Sequence, residues 1–248
     1  YSTNDKNVGL AFASFINGVA HVTDTWTYKD DGSPLEMVVS WLRSSARVLL
    51  AMDAPLGWPK DLGSNLVGHK AGQLLDVNAD RLFSRHIDRE VKRILELRPL
   101  EVGADRIART AHSALQWLDE VRKRTRRAIP LAWNSNIEST AVIEVYPAAT
   151  LKAHGVDKVH VIQAMSELGI LVDDKVKLLA GSNEHLRDAL TCVLAGVDFL
   201  IGSCKPPSDL CLAKKEGWIW VRHPKNLHEA SVVQKPVPQH TSGAAGLE

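Results

Sequence analysis

Three carboxylates stand where a charged oxygen needs a partner. Asp53 follows the apolar run 47–52, Glu144 lies inside the apolar run 141–145, and Asp188 lies in a helical stretch. A buried carboxylate is costly unless it is paired, hydrogen-bonded or bound to a metal. Mg²⁺ is typically held by one or two carboxylates together with substrate phosphate and water. If the three side chains converge at one sheet edge, they form a divalent-cation site of the kind that activates water for phosphoryl transfer.

Each carboxylate also has an ordinary structural interpretation. Asp53 opens the turn Ala-Pro-Leu-Gly-Trp-Pro and is suited to capping it. Strand alternation allows Glu144 to face solvent. Asp188 shares a helix face with Glu184, and such a pair is tolerated on a wet surface but useful when a cation lies between the two. Taken singly, none of the three residues shows whether its role is structural or catalytic.

A basic segment offers a candidate contact surface. Residues 81–127 hold 13 Lys or Arg and 7 Asp or Glu, which is a net +6, whereas the whole chain carries +1, so the remainder carries about −5. The densest run is RKRTRR at 122–127. It suits the C-terminal end of a helix dipole, and it equally suits contacts to the phosphates of a nucleic acid. Both interpretations stay open at this point.

The hydrophobic pattern predicts a mixed α/β chain that positions these residues. Two strand-like runs, 8–15 and 19–26, flank Asn17-Gly18, a dipeptide typical of a hairpin turn. A helix is predicted from Ser33-Pro34. The continuous apolar run 47–52 is typical of a strand buried on both faces. This order leaves room for a further strand before Tyr1.

Helical periodicity dominates the segment 80–127. The stripe Phe83, Ile87, Val91, Ile94 predicts one amphipathic helix, and a second begins near Ile107. Further elements are predicted beyond this segment: strands at 141–145 and 217–221, helices at 160–168 and 182–200, and a polar, flexible tail over 225–248.

Length and composition exclude several classes of protein. With 248 residues, 45% hydrophobic and 24% charged, the chain matches an ordinary globular protein and excludes a disordered or disulfide-framework chain. The three cysteines lack Cys-x-x-Cys spacing, which disfavours a zinc site and favours a reducing, cytoplasmic compartment. No run approaches the ~18 apolar residues of a membrane span, so no membrane association is expected. The segment 63–70 lacks the Gly-Lys-Ser/Thr order of a phosphate-binding loop.

Four motifs occur in the order of a known family: DAPLGWP at 53–59, RHIDR at 85–89, EVYP at 144–147 and HLRDAL at 185–190. The ordered set resembles the family of predicted RNase H-like nucleases, a largely uncharacterised group, over roughly 8–221. The resemblance implies an α/β fold with one RNase H-like mixed sheet of five strands flanked by helices. It also implies a single domain over 1–224, enlarged by a helical insertion at about 80–127.

The resemblance also implies a site. Asp53 and Asp188 would hold Mg²⁺ or Mn²⁺, with Glu144 next, and the same three residues would be catalytic. The superfamily pattern places a further Asp on a first strand, and the sequence begins just past that point. Basic and motif residues of the insertion would contact substrate: Arg85, Asp88, Arg89, Arg122, Lys123 and Arg124.

These observations favour a metal-dependent nuclease or phosphodiesterase that acts on nucleic acid. Two alternatives stay open. One is a non-catalytic module that binds nucleic acid or protein, since a fold does not dictate a function. The other is a small-molecule phosphotransferase of the same superfold, for which a recognisable phosphate loop is lacking.

Overall fold

The computed structural model describes residues 4–222, and the predicted tail over 225–248 lies outside them. Its strands are β1 Gly9–Ile16, β2 Val19–Thr27, β3 Val48–Met52, β4 Thr140–Glu144 and β5 Leu171–Val172. Its helices are α1 Pro34–Ser44, α2 Lys60–Leu66, α3 Ala79–Phe83, α4 His86–Leu95, α5 Ile107–Thr125, α6 Pro147–His154, α7 Val161–Glu167, α8 Asp174–Gly181, α9 Glu184–Leu200 and α10 Leu210–Glu216. Short 3-10 helices lie at Asp5–Asn7 and Lys158–His160. The protein is therefore an α/β protein.

The predicted hairpin is confirmed. Strands β1 and β2 are antiparallel and are joined by Asn17 and Gly18, which have φ of 53° and 82°. Both φ values are positive, as a two-residue type I′ turn requires, and Asn-Gly is the dipeptide that adopts this geometry most easily. A register irregularity between Phe12 and Ala13 bends the pair.

The predicted buried strand is confirmed as β3. It pairs in parallel with β4 from Val48↔Thr140 to Met52↔Glu144, and all five residues of β4 are buried. Helix α1 connects the hairpin to β3 and begins at Ser33, whose side chain forms a capping box with Glu36. The parallel pair places Asp53 and Glu144 at the same end of the two strands.

The described strands form two sheets. One has the order β1-β2-β5 and is mixed, because β5 runs parallel to β2, and the other contains β3 and β4. The single five-stranded sheet that the resemblance implied is not formed by residues 4–222. Helix α9 packs against β1, β2 and β3, so it spans both sheets.

Two element predictions differ from the structure. The stripe from Phe83 to Ile94 belongs to two helices, because the Asp88 carboxylate accepts a hydrogen bond from the Arg85 amide and begins a new helix there. The segment 217–221 forms no strand and contributes an isolated parallel bridge, Glu144↔Ile219. The helices predicted at 160–168, at 182–200 and from Ile107 are confirmed as α7, α9 and α5. None of the helices within residues 4–222 is both long and apolar enough to cross a membrane.

Candidate metal and active site

Asp53 follows the last residue of β3 and lines a large cavity between the two sheets. Burial raises the pKa of its carboxyl group, and the nearby negative charge of Asp188 raises it further. The negative charge of Asp188 thus disfavours the charged form of Asp53, and a cation near both carboxylates would relieve this repulsion.

Asp188 lies in α9 and lines the same cavity. The start of this helix is fixed by Asn183, whose side chain accepts hydrogen bonds from the amides of His185 and Leu186. The start of β1 packs directly on this turn, because a Cβ on Gly9 would lie 2.4 Å from the carbonyl oxygen of His185. A larger residue at that position would push the strand away from the helix.

Lys158 supplies a positive charge at this pair. Its Nζ lies 2.7 Å from Oδ2 of Asp188, and its charge opposes the rise in the pKa of Asp53. About a third of each side chain in the Lys158–Asp188 pair is exposed, at 35% and 29%. An exposed ion pair of this kind contributes about 0–1 kcal/mol, so it can exchange partners.

The structure places Glu144 in a different environment. Its two carboxylate oxygens accept hydrogen bonds from Arg85 at 2.6 and 2.8 Å, and Oε2 also accepts from the Leu56 amide at 2.9 Å. Burial raises the pKa of Glu144, and the Arg85 guanidinium and the Leu56 amide oppose that rise. Glu144 does not line the cavity that Asp53 and Asp188 share.

Arg85 is the centre of a buried polar network. Its side chain is 1% exposed and also binds both oxygens of Asp88. Burial opposes the charged form of Arg85, but Glu144 and Asp88 outweigh it and raise the pKa of the guanidinium. A planar guanidinium suits two bidentate carboxylate pairs at once. Arg85 and Asp88, which the resemblance suggested as substrate contacts, therefore lie in the interior and are fully engaged there.

Glu216 extends this network. Its carboxylate accepts hydrogen bonds from the amides of Lys60 at 2.7 Å and His86 at 2.6 Å, which are the first residues of α2 and α4. A negative charge is favourable at helix N-termini, where amide groups lack partners within the helix. One carboxylate thus anchors both helices.

The other predicted contacts have partners within the chain. Arg89 donates hydrogen bonds to the carbonyl oxygens of Asp80 and Ser84, and Arg122 donates to the carbonyl oxygen of Ile129. Lys123 and Arg124 form ion pairs, with Asp119 and Glu120, one turn back on α5. These two pairs lie on the surface, where such pairs contribute about 0–1 kcal/mol.

The two carboxylates suit a cation that takes only a few of its ligands from the protein. Within residues 4–222 there is no group of three or more His, Cys, Asp or Glu side chains arranged to hold a metal. Asp53 and Asp188 are two carboxylates, which matches Mg²⁺ when water and substrate oxygens supply the remaining ligands. The residues present therefore fit a cation that binds together with its substrate, and not a closed structural metal site.

Sequence reasoning missed Lys158, Glu216 and the close approach of β1 to His185. Lys158 is 30 residues from Asp188 and lies in a short 3-10 helix, so no periodicity connects the two. Glu216 ends α10 in a Lys-Lys-Glu stretch that is typical of a surface helix end. His185 belongs to the HLRDAL motif, which was the available signal for this turn.

The fold and the site together define an α/β protein with an acidic pair at the end of a buried parallel strand. The chain belongs to a family described as protein of unknown function (DUF429), whose model matches residues 6–210. No curated protein and no solved structure matches the chain.

Proposed function

We propose that this protein is a divalent-cation-dependent hydrolase that cleaves phosphodiester bonds in nucleic acid, with Asp53 and Asp188 as the cation ligands. The observation that carries the proposal is the shared cavity of these two carboxylates, in which burial raises the pKa of Asp53 and the charge of Asp188 adds to that rise. Mg²⁺ or Mn²⁺ between them would lower the pKa of a bound water and stabilise charge on the phosphate.

The residues around the pair have separate tasks in this proposal. Asp53 and Asp188 would hold the cation, and Lys158, which pairs with Asp188 at 2.7 Å, would supply a positive charge for a phosphate oxygen. Glu144 acts through Arg85: it holds the guanidinium, which in turn fixes the start of α4. In this scheme Glu144 is a positioning residue and touches neither cation nor substrate.

The basic run lies at the opposite end of β3 from Asp53. Arg127 donates a hydrogen bond to the carbonyl oxygen of Ser45, which precedes β3. Arg43, in α1, donates one to the backbone carbonyl oxygen of Arg124. Five residues of strand separate the two ends, which is about 16 Å at ~3.3 Å per residue. A nucleic acid that reaches from one end to the other would span about five base pairs at ~3.4 Å each. Lys123 and Arg124 are suited to this contact because their surface pairs are weak.

The test combines cation binding with cleavage. Mn²⁺ binding to the full chain is measured by calorimetry, and cleavage of RNA, DNA and hybrid duplexes is measured with Mn²⁺ or Mg²⁺. Asp53→Asn and Asp188→Asn should each weaken Mn²⁺ binding and lower cleavage about a hundredfold or more. Glu184→Gln, an exposed carboxylate one turn from Asp188 on α9, is the matched control and should leave both unchanged. Cleavage that survives both Asn substitutions contradicts the proposal.

A further inference from the structure

Tyr146 lies at the same sheet edge as Asp53, on the side of β4. The Val145 amide donates a hydrogen bond to the Met52 carbonyl oxygen at 2.8 Å, so the parallel pairing of β3 with β4 continues one residue past Glu144. Val145 and Asp53 are therefore neighbours across the two strands, and Tyr146 is the next residue along the chain. Tyr146 does not line the cavity of the acidic pair. It flanks the Asp53 end of that cavity from outside.

The backbone of Tyr146 is held in place by the start of α6. Its carbonyl oxygen accepts hydrogen bonds from the amides of Ala149 at 2.9 Å and Thr150 at 3.0 Å. Pro147 is the first residue of that helix, a position that suits proline because it has no amide hydrogen and a fixed φ. The side chain of Tyr146 packs against the buried apolar cluster that β4 and α9 share. Tyr146 therefore has a defined position, and packing covers part of its ring.

The hydroxyl group of Tyr146 is a donor without a partner among the described residues. It forms no hydrogen bond within residues 4–222, and its oxygen is accessible to solvent. Burial raises the pKa of the Tyr146 phenol, and the negative charges of Asp53 and Asp88 raise it further, so the group keeps its proton at neutral pH. A protonated hydroxyl can bind an acceptor oxygen here without adding charge.

The cationic groups near the site differ from Tyr146 in this respect. Arg85 is buried and engaged by two carboxylates. Lys158 pairs with Asp188 at 2.7 Å. A phosphate has to compete with a carboxylate for either of these charges. Tyr146 is neutral and forms no such pair, so it can bind a phosphate oxygen while the acidic pair keeps its attraction for a cation.

We propose that the Tyr146 hydroxyl donates a hydrogen bond to a non-bridging oxygen of a phosphodiester in the substrate, beside a cation held by Asp53 and Asp188. The inference rests on the proposed function and adds a substrate-binding residue to it. A phosphodiester oxygen is the acceptor that a divalent cation brings to this edge. The hydroxyl is favoured over the ring as the contact, because base stacking needs an exposed ring face and this ring packs against the core.

The test removes the hydroxyl and keeps the ring. Binding of fluorescein-labelled RNA, DNA and hybrid duplexes to the full chain is measured by fluorescence anisotropy with Ca²⁺, an oxygen-binding cation, so that the result does not depend on cleavage. Tyr146→Phe should raise the Kd of the duplex that wild type binds best by about tenfold, as expected for a hydrogen bond to a charged group. Its Tm and its Mn²⁺ affinity should equal those of wild type. Tyr28→Phe, which changes a tyrosine that is 47% exposed and outside the cavity, is the matched control and should leave all three quantities unchanged.

Four results overturn the proposal. A Kd for Tyr146→Phe equal to that of wild type shows that the hydroxyl does not contact the duplex. A lower Tm shows that the hydroxyl is structural, and a lower Mn²⁺ affinity shows that it belongs to the cation site. Wild type that binds none of the duplexes leaves no substrate to contact.

Failure of the proposed function gives a different pattern. Cleavage that survives Asp53→Asn and Asp188→Asn removes the assignment as a hydrolase. Weaker duplex binding by Tyr146→Phe would still be observed in that case, because it is measured without cleavage, and it would place the same contact in a non-catalytic module.

Discussion

Arg85 donates a hydrogen bond to each carboxylate oxygen of Glu144 in a place where neither side chain is more than 3% exposed. The pair joins α4 of the helical segment to β4 of the sheet. Breaking a buried ion pair leaves an uncompensated charge, and this costs more than the intact pair contributes. The ion pair therefore holds the start of α4 firmly against β4.

Substitutions of this pair should be strongly coupled. Arg85→Met and Glu144→Gln should each lower the free energy of unfolding by about 3–5 kcal/mol, because each leaves its former partner buried and unpaired. The double substitution should cost less than the sum by at least ~1 kcal/mol. Urea unfolding of the three variants measures this coupling. Strictly additive losses would show that the two side chains do not depend on one another.

Lys158→Met separates the roles of cation and lysine. Removing the positive charge 2.7 Å from Asp188 should tighten Mn²⁺ binding, because the ammonium and the metal compete for the same carboxylate. The gain should be up to about fivefold, since an exposed pair contributes up to about 1 kcal/mol. Cleavage should fall at the same time, because Lys158 no longer meets the phosphate. Unchanged Mn²⁺ affinity in the variant contradicts the competition.

Asp53→Asn should stabilise the protein at neutral pH. Burial raises the pKa of Asp53 in the folded state, so its charged form opposes folding above the ordinary carboxyl range. The stability difference between wild type and variant should be largest at pH 7 and should vanish as the pH falls below about 3.9, where both states are protonated. Thermal melts across pH should show a gain of at least ~2 °C at pH 7. Added Mn²⁺ should raise the Tm of wild type and leave that of the variant unchanged.

A lower Tm for the asparagine variant at pH 7 would mean that the charged form of Asp53 is favoured by folding. That result would contradict the prediction that ionisation of Asp53 opposes folding.

Glu90 should give the opposite pH dependence. The hydrogen bond from Arg93, together with the hydrogen bond and charge of Lys205, lowers the pKa of Glu90 to about 2 and outweighs the opposing effect of burial. A lowered pKa stabilises the folded state above the ordinary value of 4.5, and this contribution is lost as the pH falls from about 4.5 to about 2. Glu90→Gln should cost about 1 kcal/mol at pH 7 and little at pH 2. Glu138→Gln, an exposed glutamate, is the control and should match wild type at both pH values.

The sequence predicted those elements whose signals are local. Asn17-Gly18 specified the hairpin, Ser33-Pro34 specified the start of α1, and the apolar run before Asp53 specified β3, because turn chemistry, capping and burial act over a few residues. The break between α3 and α4 was missed because the Phe83 to Ile94 stripe stays periodic across it. The helix is interrupted by the pairing of Arg85 with Asp88. Hydrophobic periodicity carries no information about such a pairing.

Asp53, Glu144 and Asp188 were expected to converge at one sheet edge. Asp53 and Asp188 line one cavity and Glu144 does not, and the role of all three in a site stays a prediction. The environment of Glu144 was not predictable, because its partner Arg85 is 59 residues away in the sequence. The sequence around Arg85 is also typical of a basic surface helix. A buried arginine is recognised by its carboxylate partners, and these are brought to it only by the tertiary fold.

The contacts of residues 211–222 indicate that the folding unit extends beyond residue 210. The family match stops at 210, yet Glu216 anchors two helices, Ile219 bridges to β4, and Arg222 lies 3.0 Å from Asp198 of α9. A fragment that ends at 210 should therefore lose its cooperative thermal transition, whereas one that ends at 222 should keep it, as calorimetry would show. The family match therefore ends before the folding unit does. Residues 211–222 hold the helices, β4 and α9 together by the contacts named above.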